Sequence, residues 1–250
     1  MAAPNRPNGP HTESELMDPS EQQRWKKAAA EAAAALVQDG MVLGLGTGST
    51  AAFFLAALGR RMSEEHLRIS GIPTSEGTAI EARNLKIPLT NFAEHAQIDL
   101  TVDGADEVER TTLALIKGHG GALLREKIVA AASTRMIVIA DQTKLSERLG
   151  SLVSVPVEVV PFGWEVTQRR LGELAGGPSL RLGKDGKAFV TDSGHYIIDC
   201  AFGPMENPKD TAHHLDHVIG SVEHGIFLKF ASEVIVGGPS GVTILQKTTG

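Results

Sequence analysis

Met41 to Leu58 reads MVLGLGTGSTAAFFLAAL, a short apolar run, a glycine-rich turn and then an Ala- and Phe-rich segment with helical spacing. A strand passing through glycines into a helix is the opening of a β-α-β unit, and its neighbours continue the pattern. Upstream, SEQQRWKKAAAEAAAALVQDG, Ser20 to Gly40, starts at a residue able to cap, carries acid in its first turn and ends at Gly, so it reads as a helix. Downstream, LRISGIPT (67–74) is a strand, EGTAIEARNL (76–85) a helix, IDLTVDG (98–104) a strand, LLREKIVAAAS (123–133) a helix and RMIVIAD (135–141) a strand. This alternation implies a Rossmann-like open parallel sheet with helices on both faces, where ligands gather at the carboxyl ends of strands.

After Ser151 the rhythm changes. LVSVPVEVVP (152–161) is β-branched, GWEVTQRRLGELAG (163–176) is helical, and SLRLGKDGKAFVTDSGHYIIDCAF (179–202) reads as two or three antiparallel strands with Lys-Asp-Gly and Asp-Ser-Gly turns. DTAHHLDHVIGS (210–221) is helical, and SEVIVGG (232–238) returns to an apolar strand able to rejoin the first sheet. The expected organisation is a Rossmann-like unit from residues 21–150 and 226–250, with a smaller α+β, ferredoxin-like unit at 151–225 inserted before the last strands. Residues 1–20, rich in Pro, Asn, Ser and Gly, read as a disordered tail.

The chain has 250 residues, 42% of them apolar, enough to fill a sizeable core. A net charge of -6 argues against a nucleic-acid binder that relies on a broad basic face, while leaving room for a local anion pocket. A lone cysteine excludes an internal disulfide framework and fits a reducing compartment. Neither a membrane-length apolar run nor a secretory signal is evident, so the expected location is the cytoplasm.

Two stretches carry candidate chemistry. GLGTGST, Gly44 to Thr50, stands at the strand-to-helix junction, where backbone N–H groups and the helix dipole favour an anion. It lacks the P-loop lysine, and Ser49 occupies the third glycine position of the dinucleotide fingerprint, so a phosphate without a nucleotide fits better; a tight turn needing only glycine is the alternative. DGADEV, Asp103 to Val108, then concentrates acids at the end of a strand, and KGHGGALLREK (117–127) follows with a lysine, a Gly-rich turn and Glu126. Acids gathered near a lysine can hold an ionised base, a cation and hydrogen-bond acceptors around a polyhydroxyl substrate. Glu107 and Glu109 are expected to be solvated rim charges.

GLGTGSTA, VDGADEV, LIKGHGGALLREKI and VIADQTK, in that order and spacing, resemble the signature stretches of the type A ribose-5-phosphate isomerase family. VPVEVVP, GHYIID and GPSGV extend the likeness, from about Gln22 to Leu245. The resemblance implies an aldose–ketose isomerase of the non-oxidative pentose phosphate pathway, interconverting ribose 5-phosphate and ribulose 5-phosphate through an enediolate. It implies Glu126 as the proton-transferring base, Lys117 as the group stabilising the oxyanion, and Asp103 and Asp106 as acids that bind hydroxyls and assist ring opening. Gly46, Thr47, Gly48, Ser49 and Thr50 are implied at the phosphate, with Lys144 and Lys26 as further cations. Gly104, Ala105, Gly118, His119 and Gly120 are implied beside the sugar. It implies no metal and no organic cofactor, a small sugar phosphate as the only ligand, and a homodimer or homotetramer.

One departure is His119, which interrupts what is commonly a glycine run in that family. A positive φ there would strain a histidine, and its ring is expected to point to solvent. His213 and His217, spaced i, i+4, could bind zinc but have no Cys partner, so a solvated or subunit-facing helix is the expectation. Cys200 reads as a buried apolar residue, and Trp25 and Trp164 as packing groups. Rival readings are a sugar-phosphate sensor, which would need no Glu126 but a DNA-binding segment, and a deaminase or CoA transferase on the same scaffold, which would need a catalytic His or a glutamate nucleophile in another motif.

Overall fold

The computed structural model describes residues 19–247, so the rest of the expected N-terminal tail, 1–18, lies outside the described residues. Pro19 and Ser20, assigned to that tail from sequence, instead form the start of the first helix, α1 (Pro19–Ala34). Proline suits a first helical turn because the amide it lacks has no partner there.

The chain continues as β1 (Val42–Leu45), α2 (Ser49–Glu64), β2 (Ser70–Pro73), α3 (Glu76–Asn84), β3 (Ile98–Gly104), β4 (Glu107–Glu109), β5 (Leu115–Ile116), α4 (Leu123–Ala131) and β6 (Ser133–Asp141). Next come β7 (Leu145–Ser146), β8 (Val155–Val159), α5 (Trp164–Leu171), β9 (Gly176–Leu180), β10 (Tyr196–Ala201), α6 (Pro208–Asp216) and β11 (Ser221–His224). The last strands are β12 (Ile226–Phe227), β13 (Ala231–Gly238) and β14 (Gly241–Gln246).

The main sheet has the order β14-β13-β6-β3-β1-β2. Its strands pair in parallel except β14, which returns antiparallel beside β13 through a tight hairpin. SEVIVGG does rejoin the first sheet, next to β6. Strands β6 and β13 contain continuous apolar runs because both faces of a parallel sheet are covered, whereas β3 alternates Ile98, Leu100 and Val102 with Asp99, Thr101 and Asp103. Alanines 29, 30 and 33 of α1 are fully buried, and their small size lets the helix lie close to the sheet, with the Trp25 carbonyl against Gly237. From β1 the chain moves outward to β2, then crosses back to place β3 on the other side of β1. That reversal opens a crevice beyond the carboxyl ends of β1 and β3.

The second sheet, β11-β8-β10-β9, together with α5 and α6, has the β-α-β-β-α-β order of a ferredoxin-like unit. Its core includes Val155, Val157, Ile198, Cys200 and Leu215, with Trp164 packed against it. A third sheet, β12-β5-β4-β7, is built of strands two or three residues long and bridges the two larger layers. Sequence periodicity gave no sign of it.

Glu107 corrects the expectation of a solvated rim. It is fully buried and accepts hydrogen bonds from the backbone amides of Gly150, Ser151, Leu152 and Val153, at 3.1, 3.1, 3.2 and 3.3 Å. Its carboxylate therefore secures the stretch that leads into the ferredoxin-like unit. Glu109 caps its own turn through the amides of Thr111 and Thr112. No helix among the described residues is long and apolar enough to cross a membrane.

Candidate active site

The crevice at the switch point holds a cavity of about 120 Å³. Its walls come from five separate stretches of the chain. The β1–α2 turn supplies Thr47, Gly48, Ser49 and Thr50, and the end of β3 supplies Gly104, Ala105 and Asp106. The β5–α4 loop and α4 supply Lys117, Gly118, Gly120 and Glu126, while Lys26 from α1 and Lys144 from a 3-10 turn close one end. A larger, more apolar groove of about 720 Å³, lined by Leu149, Met205 and Leu228 among others, gathers no buried titratable groups.

At one end the first turn of α2 presents amides with no side-chain cap, beginning at Gly48, whose φ of 103° is left-handed and suits only glycine. Lys26 Nζ reaches Ser49 Oγ at 3.2 Å. Lys144 also lines this end and makes no ion pair with any described residue. Uncapped amides, a helix dipole and two ammonium groups make this end suited to a dianion. The Thr47 hydroxyl is engaged in a cluster with Thr74, Ser75 and Thr78, at 2.7, 2.9 and 3.1 Å.

At the other end lies a buried lysine. Lys117 Nζ contacts Asp103 Oδ2 at 3.0 Å, Glu126 Oε1 at 3.2 Å and the Gly104 carbonyl at 2.6 Å. Burial alone would lower the lysine pKa, but the Asp103 and Glu126 carboxylates override it and hold the ammonium above its ordinary range. Burial raises both carboxyls in turn, against the pull of Lys117. They are not equivalent. Asp103 Oδ1 also accepts the amides of Thr47 and Gly104, at 3.0 and 2.7 Å. Each carboxyl keeps one buried oxygen, Asp103 Oδ2 and Glu126 Oε2, without a hydrogen-bond partner among the described residues, and the Glu126 pKa is pushed up to about 8. Asp103, whose other oxygen is held by two amides, is the counter-ion fixed against Lys117, and Glu126, which lines the cavity, is the group poised to exchange a proton near neutral pH.

Two expected contact residues lie behind the wall. Asp103, expected to bind a sugar hydroxyl, is fully buried against Lys117 and is not among the residues that line the cavity. Gly46 is also buried; a Cβ there would fall 2.3 Å from Asp103 Oδ1, so it permits the packing of that carboxylate rather than touching a ligand. Asp106 does face the cavity and accepts the His119 amide at 3.0 Å. His119 itself is exposed and off the wall, its Nε2 3.0 Å from the Ser154 carbonyl. The positive φ values of this loop fall on Gly118 and Gly121, so histidine at 119 is unstrained.

Outside the cavity, His213 and His217 are exposed, with rings 4.5 Å apart. Among the described residues the carboxylate and imidazole atoms that converge belong instead to Asp216, Glu223 and His224. Lys127 Nζ already occupies the middle of that group, 2.7 Å from Glu223. His224 Nδ1 accepts the Ile226 amide, so Nε2 carries the proton given to Asp216 and offers no lone pair to a metal. Burial pushes the Cys200 thiol up to about 12, in keeping with an inert packing role.

The profile of ribose 5-phosphate isomerase A (phosphoriboisomerase A) matches residues 70–241. The ribose-5-phosphate isomerase A of a Synechococcus species is 51% identical over 223 residues, covering 89% of this chain and 97% of the relative. That of Gluconobacter oxydans is 53% identical over 218 residues, covering 87% and 94%. Among solved structures, ribose 5-phosphate isomerase A from Methanocaldococcus jannaschii superposes with a TM-score of 0.85 at 43% identity, covering 89% of this chain and 98% of its own. A D-ribose-5-phosphate isomerase in complex with phospho-erythronic acid gives 0.87 at 38% identity, covering 92% and 100%. Since the family profile matches well over half of the chain and relatives about 50% identical are covered almost end to end, the chain belongs to the ribose 5-phosphate isomerase A family.

Proposed function

We propose that this protein interconverts ribose 5-phosphate and ribulose 5-phosphate by proton transfer between C1 and C2 of the open-chain sugar. The observation that carries this reading is the buried Glu126, with its raised pKa, 3.2 Å from the buried Lys117 in a cavity whose opposite end is built for a dianion. The phosphate sits on the first turn of α2 between Lys26 and Lys144, which fixes the far end of the sugar and orients its carbonyl carbon. An oxygen resting on Lys117 Nζ then brings the adjacent carbon within reach of Glu126. Glu126 removes the proton from C2 and returns it to C1, the hydroxyl proton passes from O2 to O1 so that the carbonyl moves to C2, and Lys117 carries the charge that develops on the enediolate oxygen. Asp103 keeps Lys117 ionised and in place. Asp106, on the cavity side, accepts a hydroxyl and serves ring opening. The solved relative in complex with phospho-erythronic acid supports the assignment, because a phosphorylated four-carbon acid has a planar, charged carboxylate that resembles an enediolate.

The same reading places the enzyme in the cytoplasm, with residues 151–225 as an inserted unit. The exposure of Phe162 and Ile219, 95% and 73%, supports self-association into a homodimer or homotetramer. The test is direct. Ribose 5-phosphate is supplied with EDTA present, and ribulose 5-phosphate formation is followed for the wild type and for Glu126→Gln. Turnover by the wild type, with loss of about 100-fold or more in a variant that still binds the sugar phosphate, is expected. A wild type that binds but never isomerises would sink the reading.

A further inference from the structure

The inserted unit reaches back over the active-site loop through one side chain. Arg181 follows β9 and is held in the hairpin ladder by its own amide on Ile197 O, 2.8 Å, and its carbonyl on the Phe189 amide, 2.9 Å. One edge of its guanidinium grips Asp199 on β10, with Nε 2.9 Å from Oδ2 and the other terminal nitrogen on Oδ1. The remaining nitrogen donates to the carbonyls of Gly118 and His119, at 2.8 and 3.1 Å. Both carbonyls belong to the loop that starts at Lys117. All peptide bonds described are trans, so each amide in the loop points opposite to the carbonyl of its own peptide unit.

That opposition has two results. The peptide joining residues 118 and 119 is fixed at both ends, its carbonyl on Arg181 and its amide on Asp106 Oδ2. The next peptide has its carbonyl on Arg181, so the Gly120 amide points away from the guanidinium, and Gly120 itself lines the cavity. This amide has no partner among the described residues. We propose that Arg181 is a positioning residue: it orients the 118–120 peptides so that Asp106 and the Gly120 amide face the sugar. The ferredoxin-like unit thereby completes the active site without touching substrate. A guanidinium is suited to this task because its rigid fork serves a carboxylate and two carbonyls at once, whereas a lysine offers a single point charge.

The inference rests on the isomerase reading. Its test compares the wild type with Arg181→Met, Arg181→Lys and Asp199→Asn. Four quantities are measured: kcat, KM for ribose 5-phosphate, the inhibition constant of phospho-erythronic acid, and the dissociation constant of inorganic phosphate. A misplacement of about 1 Å in the loop is expected to lower kcat about 10- to 100-fold in Arg181→Met, and to weaken the phosphorylated acid by a similar factor. Inorganic phosphate, anchored at the far end, is expected to bind as before, and Arg181→Lys to recover only part of the loss. Asp199→Asn, which loosens the grip while keeping the shape, is expected to move kcat in the same direction. Wild-type kcat in Arg181→Met, or in Asp199→Asn should the first variant not fold, overturns the positioning role. A fall in phosphate affinity as large as the fall in kcat also overturns it, since that marks general collapse. A wild type without isomerase activity overturns the underlying reading instead.

Discussion

The sharpest consequence of burying Glu126 is the direction of the pH profile. Burial disfavours its charged form, Lys117 opposes that, and the balance raises the pKa from 4.5 to about 8. A base must be ionised to accept a proton, so at pH 7 only about a tenth of the free enzyme is competent. kcat/KM, which reports the free enzyme, is expected to rise about tenfold between pH 7 and pH 9 and then level off. This window keeps the sugar phosphate dianionic throughout, since a phosphate monoester loses its second proton near pH 6. The assay is the initial rate of ribulose 5-phosphate formation at substrate far below KM and constant ionic strength. Stability should run the other way. A carboxyl whose folded pKa lies above its unfolded one contributes fully below about 4.5 and loses that contribution as pH rises through about 8, with a ceiling of about 5 kcal/mol. Glu126→Gln, which cannot ionise, is therefore expected to melt above the wild type at pH 8 and close to it at pH 4.5. A flat kcat/KM from pH 7 to 9, or a variant less stable than the wild type at pH 8, would refute the argument from burial.

Other substitutions separate the remaining parts. Lys26→Ala and Lys144→Ala each remove an ammonium from the phosphate end only, so steady-state kinetics should show KM raised about tenfold with kcat nearly unchanged. Glu107→Ala strips four backbone amides of a buried acceptor, and calorimetry should show a loss of about 3 kcal/mol, equivalent to about 6–12 °C in Tm. Gly46→Ala drives a methyl into Asp103 Oδ1, so kcat should fall while inorganic phosphate still binds, by equilibrium titration. His119→Gly should leave both kcat and KM within about twofold, because the ring lies on the Ser154 carbonyl and the loop strain falls on neighbouring glycines.

What could be read from the sequence divides along physical lines. The main sheet was legible because buried parallel strands such as Ser133–Asp141 carry an unbroken apolar run, Met136 to Ala140, and the glycines of 44–48 punctuate the turn that follows β1. The cavity was legible because its lining residues come from runs that fold locally: a strand end, a helix start and the loop before α4. Three things were hidden. The bridging sheet has strands of two or three residues, too short to show a period. Glu107 looks in sequence like its neighbours Asp106 and Glu109, and only the return of the chain at 150–153 makes it a buried acceptor. Arg181 stands more than sixty residues from the carbonyls it holds, inside a hairpin whose local pattern accounts for it completely. Local pattern therefore reveals the groups that line the cavity, whereas the groups that hold them appear only when distant segments close on one another. The same division bears on Asp103: its position at a strand end suggests a ligand contact, whereas in the fold it lies buried against a lysine fourteen residues further along and keeps that ammonium charged.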